Sequence, residues 1–174
     1  GTLTVAGVTA WNALVVQGRL KGGDTVLVMG TGGVSIFALQ FSKMMGARVI
    51  ITSKSDEKLE RARSLGADET VNYANTPNWD DAVMDLTDGE GVDQVVEVGG
   101  PGTLQKSIGA TGFGGHIAMI GSLQQGDVNV HPLLRKSIRL SGIFAGSRDM
   151  FRDMNAAIDA NGMRPVVDRV FEFD

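Results

Sequence analysis

Thr25-Val26-Leu27-Val28-Met29-Gly30-Thr31-Gly32-Gly33-Val34-Ser35 is the stretch that decides the fold. A short apolar, β-branched run, opened by Gly22-Gly23, leads straight into a glycine-rich loop. Beyond the loop, Ile36, Ala38, Leu39, Phe41, Ser42 and Met45 recur at helical spacing until Gly46 stops the pattern. A second apolar run, Arg48–Ser53, follows at once. Strand, glycine turn, helix and strand make a βαβ unit. In such a unit the first glycine, Gly30, permits the tight turn and the second, Gly32, lets backbone approach a pyrophosphate. The third position must be small so that the helix can pack on the strand, and Ser35 holds it in place of glycine or alanine. The N-terminus of the helix then offers free N–H groups and its dipole to phosphates. Gly30, Thr31, Gly32, Gly33 and Val34 are the candidate phosphate loop.

Outward from this unit the periodic segments keep alternating. Thr9–Gly18 reads as a helix, Asp56–Leu65 as a second one capped by Ser55 and stopped by Gly66, and Glu69–Asn72 as a short strand. Trp79–Thr87 reads as a helix after Pro77. Val92–Val98 is almost continuously apolar, as a strand covered on both faces must be. Pro101 opens a helix through Ile108, and His116–Ile120 and Ile138–Phe144 read as the fifth and sixth strands around a helical turn at Pro132–Lys136. Asp149–Ala160 is the last helix and Pro165–Phe173 a final extended stretch. This alternation predicts one α/β domain over residues 1–174, a doubly wound parallel sheet with its ligand at the carboxyl ends of the first and fourth strands.

Composition removes several functions. The 174 residues suffice for one domain with a real core. A net charge of −4 without a Lys/Arg cluster gives nucleic acid no basic surface. The chain has no cysteine, so thiol catalysis, disulfides and thiolate metal ligation are excluded. No apolar run approaches membrane-spanning length and no signal peptide opens the chain, so a cytoplasmic location with no membrane partner is the expectation. Of the two histidines, His116 opens the fifth strand at the end away from the ligand and reads as structural. His131 lies in a loop without a second ligand at metal spacing and reads as solvated, so no metal site is expected. Glu97, inside an apolar strand, must find a partner, and the nearby glycine loops are the expected one. Tyr73, the sole tyrosine, has Pro77 four residues on, which rules out a Tyr-x-x-x-Lys acid/base pair.

Ala6-Gly7-Val8-Thr9-Ala10-Trp11, Gly22-Gly23-Asp24-Thr25-Val26-Leu27-Val28, the loop Gly30–Val34 with Ala38-Leu39-Gln40, Leu65-Gly66-Ala67-Asp68 and Gly91-Val92-Asp93 form a series. The series resembles the cofactor-binding half of the medium-chain dehydrogenases/reductases, the zinc-type alcohol dehydrogenases and quinone oxidoreductases. The resemblance runs along nearly the whole chain and implies a Rossmann fold that binds a nicotinamide dinucleotide. Family members also carry an amino-terminal catalytic domain and a carboxyl-terminal return to it, so the chain reads as an excised cofactor domain whose segment 165–174 would run back to the missing half. By the resemblance, Thr9 faces the nicotinamide region, and Val98, Gly99, Gly121, Ser122 and Phe144 line the nicotinamide pocket from the ends of the fourth, fifth and sixth strands. Zinc ligands and proton relay belong to the missing half, so no catalytic residue is expected in this chain and the isolated chain should bind dinucleotide without turnover. The resemblance also implies a homodimer through the edge strand Leu140–Phe144. Tyr73 either closes over the adenosine end, as in some quinone oxidoreductases, or is a plain surface residue.

Dinucleotide choice is read at the end of the second strand. An NAD site places Asp or Glu about 20 residues past the glycines. Ser53 stands there instead, followed by Lys54 and Ser55, and hydroxyls with an ammonium suit the 2′-phosphate of NADP(H). Lys58, one turn beyond Lys54, lies where a relative's phosphate-contacting lysine falls. NADP(H) is therefore the expected cofactor, with NAD(H) second. Two other readings stay open at this point. One is a dinucleotide-sensing module without catalysis. The other is an S-adenosyl donor site, which would want an acid where Ser53 stands.

Overall fold

The structure is a computed structural model that describes residues 2–122 and 126–170. Six strands are present: β1 (Thr25–Met29), β2 (Arg48–Ser53), β3 (Glu69–Asn72), β4 (Val92–Glu97), β5 (Thr111–Met119) and β6 (Arg139–Gly142). They form one sheet in the order β3-β2-β1-β4-β5-β6. Every neighbouring pair is parallel. The chain enters through α1 (Ala6–Trp11) and crosses the sheet through α2 (Gly33–Met44), α3 (Asp56–Ser64), α4 (Trp79–Leu86), α5 (Pro101–Ala110), α6 (His131–Arg135) and α7 (Arg148–Ala160). This is the doubly wound α/β sheet that the alternation of the sequence predicts.

The two-residue period of the strands explains how one sheet carries two cores. On β1, Val26 and Val28 point to one face, where they meet Phe37 and Phe41 of α2, Val49 and Ile51 of β2, and Met154 of α7. Leu27 points to the other, with Ile50, Val95, Trp79, Val83, Leu104 and Ile108. Trp11 and Phe41 meet edge to face at 5.5 Å, and Phe37 stacks on Phe41 at 5.9 Å. With Val26, Leu27 and Val28 all at 0 % exposure, β1 is the spine of the domain.

Three local readings of the sequence are corrected. The first helix starts at Ala6 and from Asn12 to Gln17 widens into a π-helix, in which the Gly18 N–H reaches back five residues to the Ala13 carbonyl at 3.0 Å. β5 begins at Thr111, five residues before His116, so His116 sits within the strand. Its start, Thr111-Gly112-Phe113-Gly114-Gly115, has no alternating apolar pattern, and its pairing with β4 shifts register between Val92 and Gln94. β6 spans only Arg139–Gly142, so Phe144 lies past its end and is fully exposed. Residues 163–170 form no strand. They run along α2, where the Gln40 amide donates to the Arg164 carbonyl at 2.8 Å and its oxygen accepts from the Val166 N–H at 3.4 Å. The remainder of the extended stretch, Phe171 to Asp174, lies outside the described residues. Among the described residues no helix is long and apolar enough to cross a membrane.

Where the interior of β5 pairs with β4 and β6, the sheet buries polar groups. Gln94 pairs in register with His116, and His116 with Arg139. His116 is 1 % exposed and neither ring nitrogen has a hydrogen-bond partner. Burial, helped by the Arg139 charge, lowers its pKa from 6.5 to about 4. Unfolded His116 therefore takes up a proton as pH falls below about 6.5, while the folded ring resists it down to about 4. The stabilisation is complete above that range and lost on acidification through it, by about 3 kcal/mol. Urea midpoints measured between pH 7.5 and 4 should fall less steeply for His116→Leu than for the parent. Parallel curves would show that His116 titrates normally in the fold.

Candidate nucleotide-binding crevice

β1 and β4 are neighbours, yet α2, which follows β1, packs in the core on one face, and α5, which follows β4, in the core on the other. The loops leaving these two strands must therefore part, and a crevice opens between them. On the β1 side, Gly30 turns with φ +70°, a conformation that a side chain resists, and its N–H reaches the Thr52 hydroxyl at 3.4 Å. The Ser35 hydroxyl donates to the Met29 carbonyl at 2.7 Å, so the residue in the third motif position is both small and satisfied. Gly32 precedes α2 without a capping side chain, and a Cβ built there meets nothing within 4 Å. The first N–H groups of α2, without intrahelical partners, lie beside that open space, with Thr31 half-buried, Gly32 and Gly33 exposed and Val34 half-buried.

On the β4 side the organising group is Glu97, at 0 % exposure. Its Oε1 accepts from the N–H groups of Gly99 at 2.7 Å and Gly100 at 3.0 Å and from the Thr103 hydroxyl at 2.7 Å. Its Oε2 accepts from the Ser107 hydroxyl. The glycine loops are thus the partner that a buried Glu97 requires, and the carboxyl group ties the end of β4 to the first turns of α5. The Glu97 carbonyl also accepts from the N–H groups of Ile120 and Gly121, at 2.8 and 3.1 Å. This draws the ends of β4 and β5 so close that a Cβ at Gly121 would lie 2.2 Å from the Val98 carbonyl oxygen. Val98, Gly99 and Gly121 therefore share one wall, with Ser122 exposed just beyond it. Thr9 is 4 % exposed and donates its hydroxyl to the Val5 carbonyl at 2.6 Å. Phe144 lies two residues past the end of β6, fully exposed.

At the end of β2, Ser53 is 4 % exposed and its hydroxyl accepts from the Ser55 N–H at 3.3 Å. The Ser55 hydroxyl caps α3, accepting from the Lys58 N–H at 3.4 Å. Lys54 and Lys58 are exposed. The Tyr73 N–H donates to the Ser53 carbonyl at 3.1 Å, and its side chain is 40 % exposed. The Asp56 carboxylate, the nearest acid along the chain, accepts from the Asn72 amide at 2.6 Å. The shelf beyond β2 thus carries two hydroxyls and two ammonium groups.

A cavity of about 610 Å³ adjoins this shelf, lined by Thr31–Gly33, by Ile36, Phe37 and Gln40 of α2, by Lys58, Arg61 and Leu65, and by 166–169. It takes in part of the glycine loop and Lys58, whereas Ser53, Lys54, Val98, Gly99 and Gly121 lie outside it. Arg61, Asp168 and Arg169 are the charged members that the sequence reading passed over. The signal for Arg61 was its place three residues after Lys58, on the same side of α3. For Asp168, 107 residues further on, no local signal exists.

A zinc site cannot be built from these residues. The chain lacks cysteine, His116 is locked inside β5, and His131 opens α6 on the surface. Among the described residues no three His, Cys, Asp or Glu side chains are grouped to hold a metal ion.

The sequence model of the family described as "Zinc-binding dehydrogenase" matches residues 33–160. A zinc-type alcohol dehydrogenase-like protein of Schizosaccharomyces pombe is 47 % identical over 99 % of this chain and 52 % of its own length. Two crystal structures share the fold. One, assigned as an alcohol dehydrogenase of Sinorhizobium meliloti 1021, superposes with a TM-score of 0.92 and 44 % identity over 97 % of this chain and 50 % of its own. The other, named an NAD-dependent alcohol dehydrogenase, gives 0.82 and 36 % over 90 % and 47 %. The chain spans about half the length of the curated relatives it matches.

Glu97 offers a direct test of how the crevice is held. Glu97→Ala leaves two N–H groups and two hydroxyls without their acceptor, at a cost of about 3 kcal/mol or more in urea unfolding. Glu97→Gln keeps an oxygen for Gly99 and Gly100 and should recover over half of that loss. An alanine cost below about 1 kcal/mol would mean that the β4 loop holds its shape unaided.

Proposed function

Since this chain belongs to the zinc-binding dehydrogenase family, as a cofactor-binding half within the medium-chain dehydrogenases/reductases, we propose that it binds NADP(H) in preference to NAD(H). It would do so for an oxidoreductase that moves hydride to or from an alcohol, carbonyl or quinone. When bound, the dinucleotide supplies the hydride chemistry, and this chain supplies the grip and the alignment. The glycine loop and the start of α2 take the pyrophosphate, and the wall of Val98, Gly99 and Gly121 takes the nicotinamide end, with Thr9 and Ser122 flanking it. Tyr73 borders the adenosine end. Polarisation of the substrate oxygen and proton transfer fall to groups other than the described residues, because none of these presents a histidine, cysteine or metal cluster at the crevice.

The observation that carries the cofactor choice is the end of β2. Ribose hydroxyls would want a carboxylate there, and Ser53 and Ser55 offer hydroxyls instead, with Lys54 and Lys58 beside them and Asp56 engaged by Asn72. One similar structure is named NAD-dependent, so the preference is argued from these side chains and not from likeness. Calorimetric titration should give NADPH roughly a tenfold advantage over NADH, about 1.4 kcal/mol. The advantage shrinks as salt rises, because exposed ammonium groups carry it. It reverses in the Ser53→Asp, Lys54→Ala variant. Equal affinities in the unchanged chain sink the proposal.

The free edge of β6 supports a second part of the reading, a two-fold dimer in which two sheets join edge to edge. Leu140 is 40 % exposed on a strand whose outer side has no neighbour among the described residues. Sedimentation equilibrium at about 100 μM should give twice the chain mass, and Leu140→Lys should give the monomer. A monomeric parent chain refutes the dimer.

A further inference from the structure

Lys58 and Arg61 stand one turn apart on α3, where the cavity meets the shelf beyond β2. The anion beside them belongs to the chain itself. Asp168, on the segment that runs along α2, forms an ion pair with Arg61. Hydrogen bonding to Arg61, then the charges of Arg61, Arg169 and Lys58, hold its carboxyl below the usual carboxylate range. The segment that brings it there is moored upstream by the paired hydrogen bonds of Gln40 to Arg164 and Val166.

We propose that Asp168 is a tethered stand-in for the ligand's phosphate, neutralising Lys58 and Arg61 until the 2′-phosphate of NADP(H) displaces it. Arg61 and Asp168 are then a specificity-determining pair for the phosphorylated dinucleotide. The inference rests on the NADP(H) reading above and adds to it a third cation and an internal competitor.

The energetics favour exchange. The side chains of Arg61 and Asp168 are 50 % and 76 % exposed, and an ion pair so exposed is weakly held and readily exchanged. A phosphate monoester near pH 7 carries between one and two negative charges and three acceptor oxygens, and a guanidinium fork binds it through two parallel hydrogen bonds. The carboxylate's advantage is its tether, which keeps it at high effective concentration beside Arg61 whatever the solution holds. NADP(H) pays to remove it, whereas NAD(H), with a 2′-hydroxyl, has no use for Arg61 and leaves the pair intact. The competitor therefore lowers NADPH affinity and spares NADH.

Calorimetric titration of the parent chain, Asp168→Asn and Arg61→Gln with NADPH and NADH reads this directly. Asp168→Asn keeps the size of the side chain and removes its charge. It should tighten NADPH about threefold and leave NADH within twofold. Arg61→Gln should weaken NADPH about tenfold and again spare NADH. A parent chain that binds both dinucleotides equally overturns the NADP(H) reading and this inference with it. A parent that prefers NADPH, with Asp168→Asn unchanged or weaker toward NADPH alone, overturns only the inference, since Asp168 then does not compete. Weakening of both dinucleotides by Asp168→Asn also overturns it, because the segment then merely holds the groove together. An Arg61→Gln variant with parental NADPH affinity removes Arg61 from the site.

Discussion

The carboxyl group of Glu97 is the junction on which the crevice depends. It sits at the end of a strand, fully shielded from solvent, and a buried acceptor of this kind is tolerated only when donors converge on it. Four do: two N–H groups of the β4 loop and the hydroxyls of Thr103 and Ser107 on α5. Ser107 also touches the Met29 sulfur at 3.3 Å, so the β4 loop, α5 and the end of β1 are joined through one side chain and its neighbour. The Glu97 carbonyl extends the junction to β5 through Ile120 and Gly121. A rigid floor at the carboxyl ends of three strands follows. Precise placement of an extended ligand requires that rigidity, because misplacement by about 1 Å can cost a hundredfold in rate.

Around this floor the chain divides its labour by charge. The glycine loop offers backbone N–H groups and a helix dipole, which suit any phosphate and discriminate none. In the function proposed above, discrimination is left to the shelf beyond β2, where cationic and hydroxylic side chains gather and two nearby carboxylates are already engaged. Asp56 is taken by Asn72, and Asp168 by Arg61. Those pairings do more than remove acids from a phosphate's path. They hold exposed side chains in place at small energetic cost, which leaves the shelf able to exchange partners.

Much of the fold was legible because its signals are local. Strand β1, the glycine turn and α2 are contiguous, their periods differ, and Gly46 ends the pattern cleanly. β4 showed itself by the valines at 92, 95 and 96, and α3 by the Ser55 cap. The misreadings share a cause. The start of β5 is glycine-rich and is strand only because β4 lies beside it and takes its hydrogen bonds. The π-helix after Trp11 depends on how that segment lies against the sheet rather than on residue spacing.

By itself, the sequence determined the sheet, the glycine loop between β1 and α2, and the absence of cysteine. Each of these follows from residue type and near-neighbour spacing, which act before any long-range contact forms. Only the tertiary structure decided that Ser107 of α5 reaches the Met29 sulfur at the end of β1, and that Arg61 faces Asp168 across 107 residues. Such contacts are set by where the βαβ crossovers lay distant segments against one another. No period in the sequence encodes that distance, because the register of parallel strands and the packing of helices on them exist only once the whole sheet has assembled.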